Sequence, residues 1–177
     1  MSLPININFN SGTGFTAWTA SGYLNFGVLG GVAQADAGDK VGTLYTPQTL
    51  PAAFYAEVDI VSGSKGGLSF STSLAGDTGY LIYQISDSVY LKKMVAGVQT
   101  TITWVQDLTI FTGYRLRVLY RAGNWRVFMD NTELFNFNDS TYVPLYIGFW
   151  ADETNTTSVV FDNLYVDTLP SRFAKGS

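Results

Sequence analysis

The chain has 177 residues, enough for one domain with a full core and short for two. Hydrophobic residues make up 46% and charged ones 14%, against a usual charged share of about 25%; such a chain has too much apolar surface and too little charge to stay disordered. A net charge of −4 gives no general attraction to a phosphate backbone, which excludes nucleic acid as a general partner.

Cysteine and histidine are both absent. Disulfides, thiol chemistry and Cys-metal sites go with the first, and the commonest general base and metal ligand with the second. The opening MSLPININFN has neither the basic region nor the apolar run of a secretory signal, and no stretch approaches the roughly 18 apolar residues of a membrane span. Membrane insertion is not expected. A protein with this start that works outside a cell is expected to take another route there, such as assembly into a virus particle followed by lysis, and a chain trimmed of its leader would read the same.

Ile5, Ile7 and Phe9 alternate with asparagines and predict an opening strand, broken by Ser11-Gly12-Thr13-Gly14. Phe15 and Trp18 read as loop residues folded back on one end of the core. Residues 23–35 predict two short strands around Gly30-Gly31, and 43–46 a strand ending at Pro47. In 53–61, Phe54, Ala56, Val58 and Ile60 alternate with Tyr55, Glu57 and Asp59, so one face is apolar and the other polar. Strands follow at 68–73, 80–85, 89–95 and 99–105; residues 106–111 read as a connection or one helical turn.

Gly113–Asn131 is the clearest stretch. Leu116, Val118 and Tyr120 alternate with Arg115, Arg117 and Arg121; Ala122-Gly123-Asn124 supplies a tight turn; Trp125, Val127 and Met129 resume the alternation. Arg115, Arg117, Arg121 and Arg126 crowd this hairpin. They read as a charged outer face that keeps it soluble, or as a contact for a subunit or an anionic glycan. Short strands at 133–137, 145–151 and 158–167 complete the series. About a dozen strands, eighteen glycines and no 3.6-residue apolar repeat predict an all-β, two-sheet antiparallel sandwich. Residues 1–170 are expected to form one domain, with 171–177 a short polar tail.

The segments Tyr114–Val118 (YRLRV), Trp125–Asp130 (WRVFMD), Gly148–Ala151 and Val159–Val166 (VVFDNLYV) resemble the strand motifs of concanavalin A-like lectin and glucanase jelly rolls, the LamG-like group. The resemblance implies two curved sheets, with a concave face that holds a glycan in sugar-binding and sugar-cleaving members. Glucanases of that fold carry Glu-x-Asp-x-x-Glu on one strand, which supplies a nucleophile and an acid/base. Here Glu57-Val58-Asp59-Ile60-Val61-Ser62 matches two positions and puts serine at the third. No catalytic residues are therefore expected, although a divergent glycosidase is an open alternative.

Sugars are held by aromatic faces, with amides and carboxylates on their hydroxyls. Tyr55, Tyr83, Trp104, Tyr146 and Trp150 are the candidate aromatics, and Glu57, Asp59 and Asn155 the candidate polar contacts. Glucanases of the fold also tie the first strand to the last with a structural calcium ion. By resemblance, Asp162 and Asn8 would hold that ion; otherwise Asp162 accepts hydrogen bonds from backbone amides. The expected protein is a non-enzymatic recognition or assembly protein and a homo-oligomer. Its partners are then a glycan, or other virion or surface proteins met through protein–protein contacts alone.

Overall fold

The structure, a computed structural model, describes residues 3–9, 18–21, 26–29, 32–35, 41–45, 48–62, 65–108, 113–151 and 159–169. Among them are fifteen β-strands and no α-helix: β1 (Ile5–Ile7), β2 (Trp18–Ser21), β3 (Phe26–Leu29), β4 (Val32–Ala35), β5 (Val41–Tyr45), β6 (Ala53–Ser62), β7 (Lys65–Ser71), β8 (Gly79–Ile85), β9 (Ser88–Val95), β10 (Val98–Val105), β11 (Tyr114–Arg121), β12 (Asn124–Met129), β13 (Thr132–Asn138), β14 (Tyr146–Ala151) and β15 (Val159–Thr168).

They form two antiparallel sheets. The first runs β13-β12-β11-β6-β15-β4-β3, with β1 also on β15; the second runs β10-β9-β8-β7-β14-β5-β2. The consecutive strands β14 and β15 sit inside opposite sheets, so the chain crosses the sandwich near its end and closes it. β1 pairs with β15 through Ile7 opposite Leu164.

Alternation decides what is buried. Phe54, Ala56, Val58 and Ile60 of β6 are buried with Leu116, Val118 and Tyr120 of β11 and Trp125 and Val127 of β12. The second sheet meets them with Phe70, Tyr80, Ile82 and Phe149. Trp125 packs on Tyr120 at 4.5 Å, Tyr80 at 4.7 Å and Phe70 at 5.4 Å between ring centroids, separations at which aromatic pairs add to simple burial. Phe149 stacks on Phe161 at 4.6 Å across the two sheets. The turn of the β11–β12 hairpin puts Ala122 at φ 48° and Gly123 at φ 87°. Two left-handed central residues match the twist of the strands, the geometry preferred in two-residue hairpins.

The expected sandwich is therefore present, and one expectation within it changes. Trp18 opens strand β2, paired with Tyr45 of β5, instead of lying in a loop. Phe15 lies outside the described residues. Residues 106–108 are irregular, and the rest of that connection is outside the described set.

Candidate functional site

The candidate residues separate onto the two outer faces. Tyr55, Glu57 and Asp59 face out from β6 in the first sheet, where β11 puts Arg115 opposite Asp59 and Arg117 opposite Glu57. Arg115 donates to both Asp59 oxygens, Nε to Oδ1 at 2.6 Å and Nη2 to Oδ2 at 3.1 Å, and Asn163 Nδ2 donates to Oδ2 at 2.9 Å. Burial alone would raise the Asp59 pKa, but these bonds and the guanidinium charge hold it below the usual carboxylate range. Glu57 sits 3.4 Å from Arg117 Nε and 3.6 Å from Arg115 Nη1, and accepts the Tyr55 hydroxyl. Burial, then that bond to Glu57, pushes the Tyr55 phenol up to about 12. Of the arginines that crowd this hairpin, Arg115 and Arg117 thus pair with carboxylates of β6, and Arg126 pairs with Glu133.

Tyr55 also borders a depression of about 510 Å³ with Arg117, Phe128 and Tyr165. Arg117 lies 5.9 Å from the Tyr55 ring centre, so the depression is floored by groups already engaged with one another.

Asp162 faces the same side, opposite Asp59. Its Oδ1 accepts the backbone N–H of Asn163 at 2.7 Å. Asn8 follows Ile7, the last residue of β1, which pairs with Leu164 of β15. The donor set fits calcium poorly. Asp59, the nearest second carboxylate by register, is neutralised by Arg115, and no group of three metal-ligating side chains occurs among the described residues.

The second sheet gathers the other aromatics. Trp150 lies opposite Gly67, Gly67 opposite Tyr83, Tyr83 opposite Tyr90, and Tyr90 opposite Trp104. Directly opposed residues share a face, so four aromatics form one row across β14, β7, β8, β9 and β10. The inward positions Ile82, Val89 and Leu91 belong to the core, which leaves this row on the outer face. The Tyr83 and Tyr90 rings stand 6.2 Å apart, and Tyr90 and Trp104 stack at 6.5 Å and 18°. Lys92 Nζ rests 5.0 Å from the Tyr83 ring centre and 5.3 Å from that of Tyr90. The Tyr83 hydroxyl donates to Gln99 Oε1 at 3.3 Å, beyond β9. Exposure grades along the row: Tyr83 and Trp150 are buried with Leu81 and Met94, Tyr90 is half-buried, and Trp104 is 52% exposed.

Tyr146 shares this outer face, two pairs along β14 from Trp150 and opposite Ser71. Asn155 lies outside the described residues. Tyr90, Lys92 and Gly67 belong to the row and were not among the sequence candidates. The alternation of Val89 and Leu91 with Tyr90 and Lys92 was the available signal, since it directs an aromatic and a cation outward together.

No protein-family model matches the sequence, and no curated protein matches it. Solved structures do. The carbohydrate-binding module CBM66 of Bacillus subtilis is similar at 18% identity and TM-score 0.64, covering 86% of this chain and 96% of that one. The lumenal domain of VIP36, solved with Ca2+ and Man3GlcNAc, is similar at 8% identity and TM-score 0.65, covering 89% and 86%. The GH43 protein BlXynB of Bacillus licheniformis is similar at 11% identity and TM-score 0.73; 93% of this chain is covered but only 39% of that one. The chain thus has the fold of these lectin and carbohydrate-binding domains, a two-sheet antiparallel sandwich of jelly-roll type.

Proposed function

We propose that the chain is a non-enzymatic glycan-binding module and that its sugar lies on the outer face of the second sheet. The observation that carries this reading is the register-aligned row Trp150–Tyr83–Tyr90–Trp104, open at its Trp104 end. Aromatic faces supply apolar area with few rotatable bonds to immobilise, and half-exposed tryptophans are typical binding anchors. Neutral glycan chemistry suits a row whose only cation already rests on the rings.

The first sheet argues against hydrolysis. A retaining pair needs two carboxyls free to face the sugar, whereas Asp59 is tied to Arg115 and held below the usual carboxylate range, and Glu57 is engaged with Arg117, Arg115 and the Tyr55 hydroxyl.

Binding of the full chain to xyloglucan, arabinoxylan, β-1,3-glucan and mannose oligosaccharides, followed by calorimetry, tests the reading. At least one should bind, and Trp104→Ala should weaken it about tenfold or more without lowering the melting temperature. Tyr55→Ala, on the opposite face, should bind as wild type does. A chain that binds none of these, or one sensitive to Tyr55→Ala and not to Trp104→Ala, overturns it.

A second reading, a virion or surface component that acts through protein contacts, draws on the edge of the same sheet. Strand β10 ends the sheet, carries no charged residue, and exposes Val98 (70%) beside Val95 (47%). Natural edge strands usually carry charge or proline that deters pairing. The occupant would be a second copy, joined along β10. Sedimentation at micromolar concentration should then give a dimer or larger species, and a clean 19.4 kDa monomer removes this reading.

A further inference from the structure

Two neighbouring strands of the second sheet mark out a square on its outer face. Ser69 lies opposite Gly148, and Gly67 opposite Trp150, so glycines hold one diagonal and polar side chains the other. Ser69 is 5% exposed and Trp150 is 7% exposed. The Ser69 hydroxyl and the Trp150 indole N–H are closed to solvent, and neither has a hydrogen-bond partner among the described residues. Only four buried side-chain polar atoms among the described residues are in that state, and two of them fall in this one square.

Buried polar groups in folded proteins are nearly always paired, and an unpaired one forfeits its hydration with nothing in return. Local rules broken in this way are expected at functional sites. The location fits that pattern. Trp150 and Tyr83 form the closed end of the aromatic row, with Leu81 opposite Ser69 on the next strand.

We infer that Ser69 and Trp150 are the polar end of the glycan site and share one sugar hydroxyl. The indole N–H can only donate, so it needs an oxygen lone pair, and the serine hydroxyl can accept the proton that the same oxygen carries. One hydroxyl satisfies both groups. The square holds no charged residue, which suits a neutral hydroxyl better than a carboxylate. Because both atoms are covered in the free chain, the groups covering the square must shift as the sugar enters, and local adjustment is common at interfaces. This inference rests on the glycan-binding reading above.

Ser69→Ala and Trp150→Phe, made in the full chain, test it with the tightest-binding member of the glycan panel. Each removes one orphaned group and keeps most of the shape. Ser69→Ala should melt at or above the wild-type temperature, since an unpaired buried hydroxyl is lost, and should bind roughly three- to tenfold more weakly, the share of one hydrogen bond. Trp150→Phe should lose affinity by a similar factor; should its smaller ring lower the melting temperature, Ser69→Ala alone decides. Wild-type affinity in Ser69→Ala overturns the inference and leaves the glycan reading standing. A marked fall in its melting temperature also overturns it, because the hydroxyl would then have an internal partner such as a buried water. If the wild type binds no member of the panel, the reading fails and the inference fails with it.

Discussion

Lys93 of β9 reaches Asp139, beyond the end of β13, and the ammonium meets the carboxylate at 2.7 Å, joining one sheet to the other. The same carboxylate accepts the Tyr80 hydroxyl and the Thr141 backbone N–H, each at 2.8 Å. Its own backbone carbonyl takes the Trp125 indole N–H at 3.3 Å. One acidic residue thus anchors polar tips of the aromatic core, Tyr80 and Trp125, at the edge of the sandwich.

Burial would raise the Asp139 pKa, but the bonds from Lys93, Thr141 and Tyr80 outweigh it and hold the carboxyl well below the usual range. A depressed native pKa stabilises the fold above the unfolded value of about 3.9, and the contribution is lost as pH falls toward the native value. Asp139→Asn should therefore cost about 1–3 kcal/mol at pH 7. In urea melts, the gap between wild type and variant should stay constant above about pH 5 and narrow below about pH 4. A gap that widens in acid contradicts this assignment.

Gly67 has no room for a side chain. A Cβ there would overlap the Ile82 carbonyl oxygen and stand 2.6 Å from Tyr83 Cα, both of them backbone. Gly67→Ala must push β7 away from β8. Overpacking of this kind costs about 1–3 kcal/mol, and because Tyr83 is the residue displaced, glycan affinity should fall as well. Thermal melts and binding on one preparation check both, and an unchanged midpoint refutes the close approach of the strands.

Much of the sandwich is legible in the sequence wherever one face is polar. In β6 and β11 the alternation names the buried residues one by one, because a shift of one would place Arg115 and Glu57 in the core. Strand β8 is different. Tyr80 to Tyr83 are apolar on both faces, since a second cluster lies outside the sheet, and alternation carries no sign there. The aromatic row is hidden for another reason: its members, at 83, 90, 104 and 150, meet only through the register of five strands. Asp139 follows Asn138 in what reads as a polar turn. Its role depends on Tyr80 and Lys93, nearly fifty or more positions away in sequence.

The first sheet predicts no hydrolysis. Glu57 and Asp59 are each matched to an arginine on the adjacent strand, an arrangement that orients carboxylates for structure. Incubation with the polysaccharides of the binding panel should release no reducing sugar. Release that disappears in Glu57→Gln would establish a catalytic role. Without turnover, Glu57→Gln should shift stability by less than about 1 kcal/mol, as expected for a partly exposed ion pair.

Asp162 and Asn8 lie where β15 meets β1, the junction that a calcium ion would tie. An ion bound only by the folded chain stabilises it by RT ln(1 + [L]/Kd), about 2.7 kcal/mol at a hundredfold excess over Kd. The geometry points the other way. Asp162 Oδ1 is occupied by the Asn163 N–H, the Asn163 amide is turned to Asp59, and Asp59 is held by Arg115. A cation would have to take an oxygen from each of these bonds and repel the guanidinium. Melts in EDTA and in millimolar calcium should therefore share one midpoint. Asp162→Ala should lower that midpoint equally in both, through loss of its bond to the Asn163 amide, which sits at φ 52° and depends on that support. A midpoint that rises with calcium in the wild type, and stops doing so in Asp162→Ala, would restore the ion to the junction of the first and last strands.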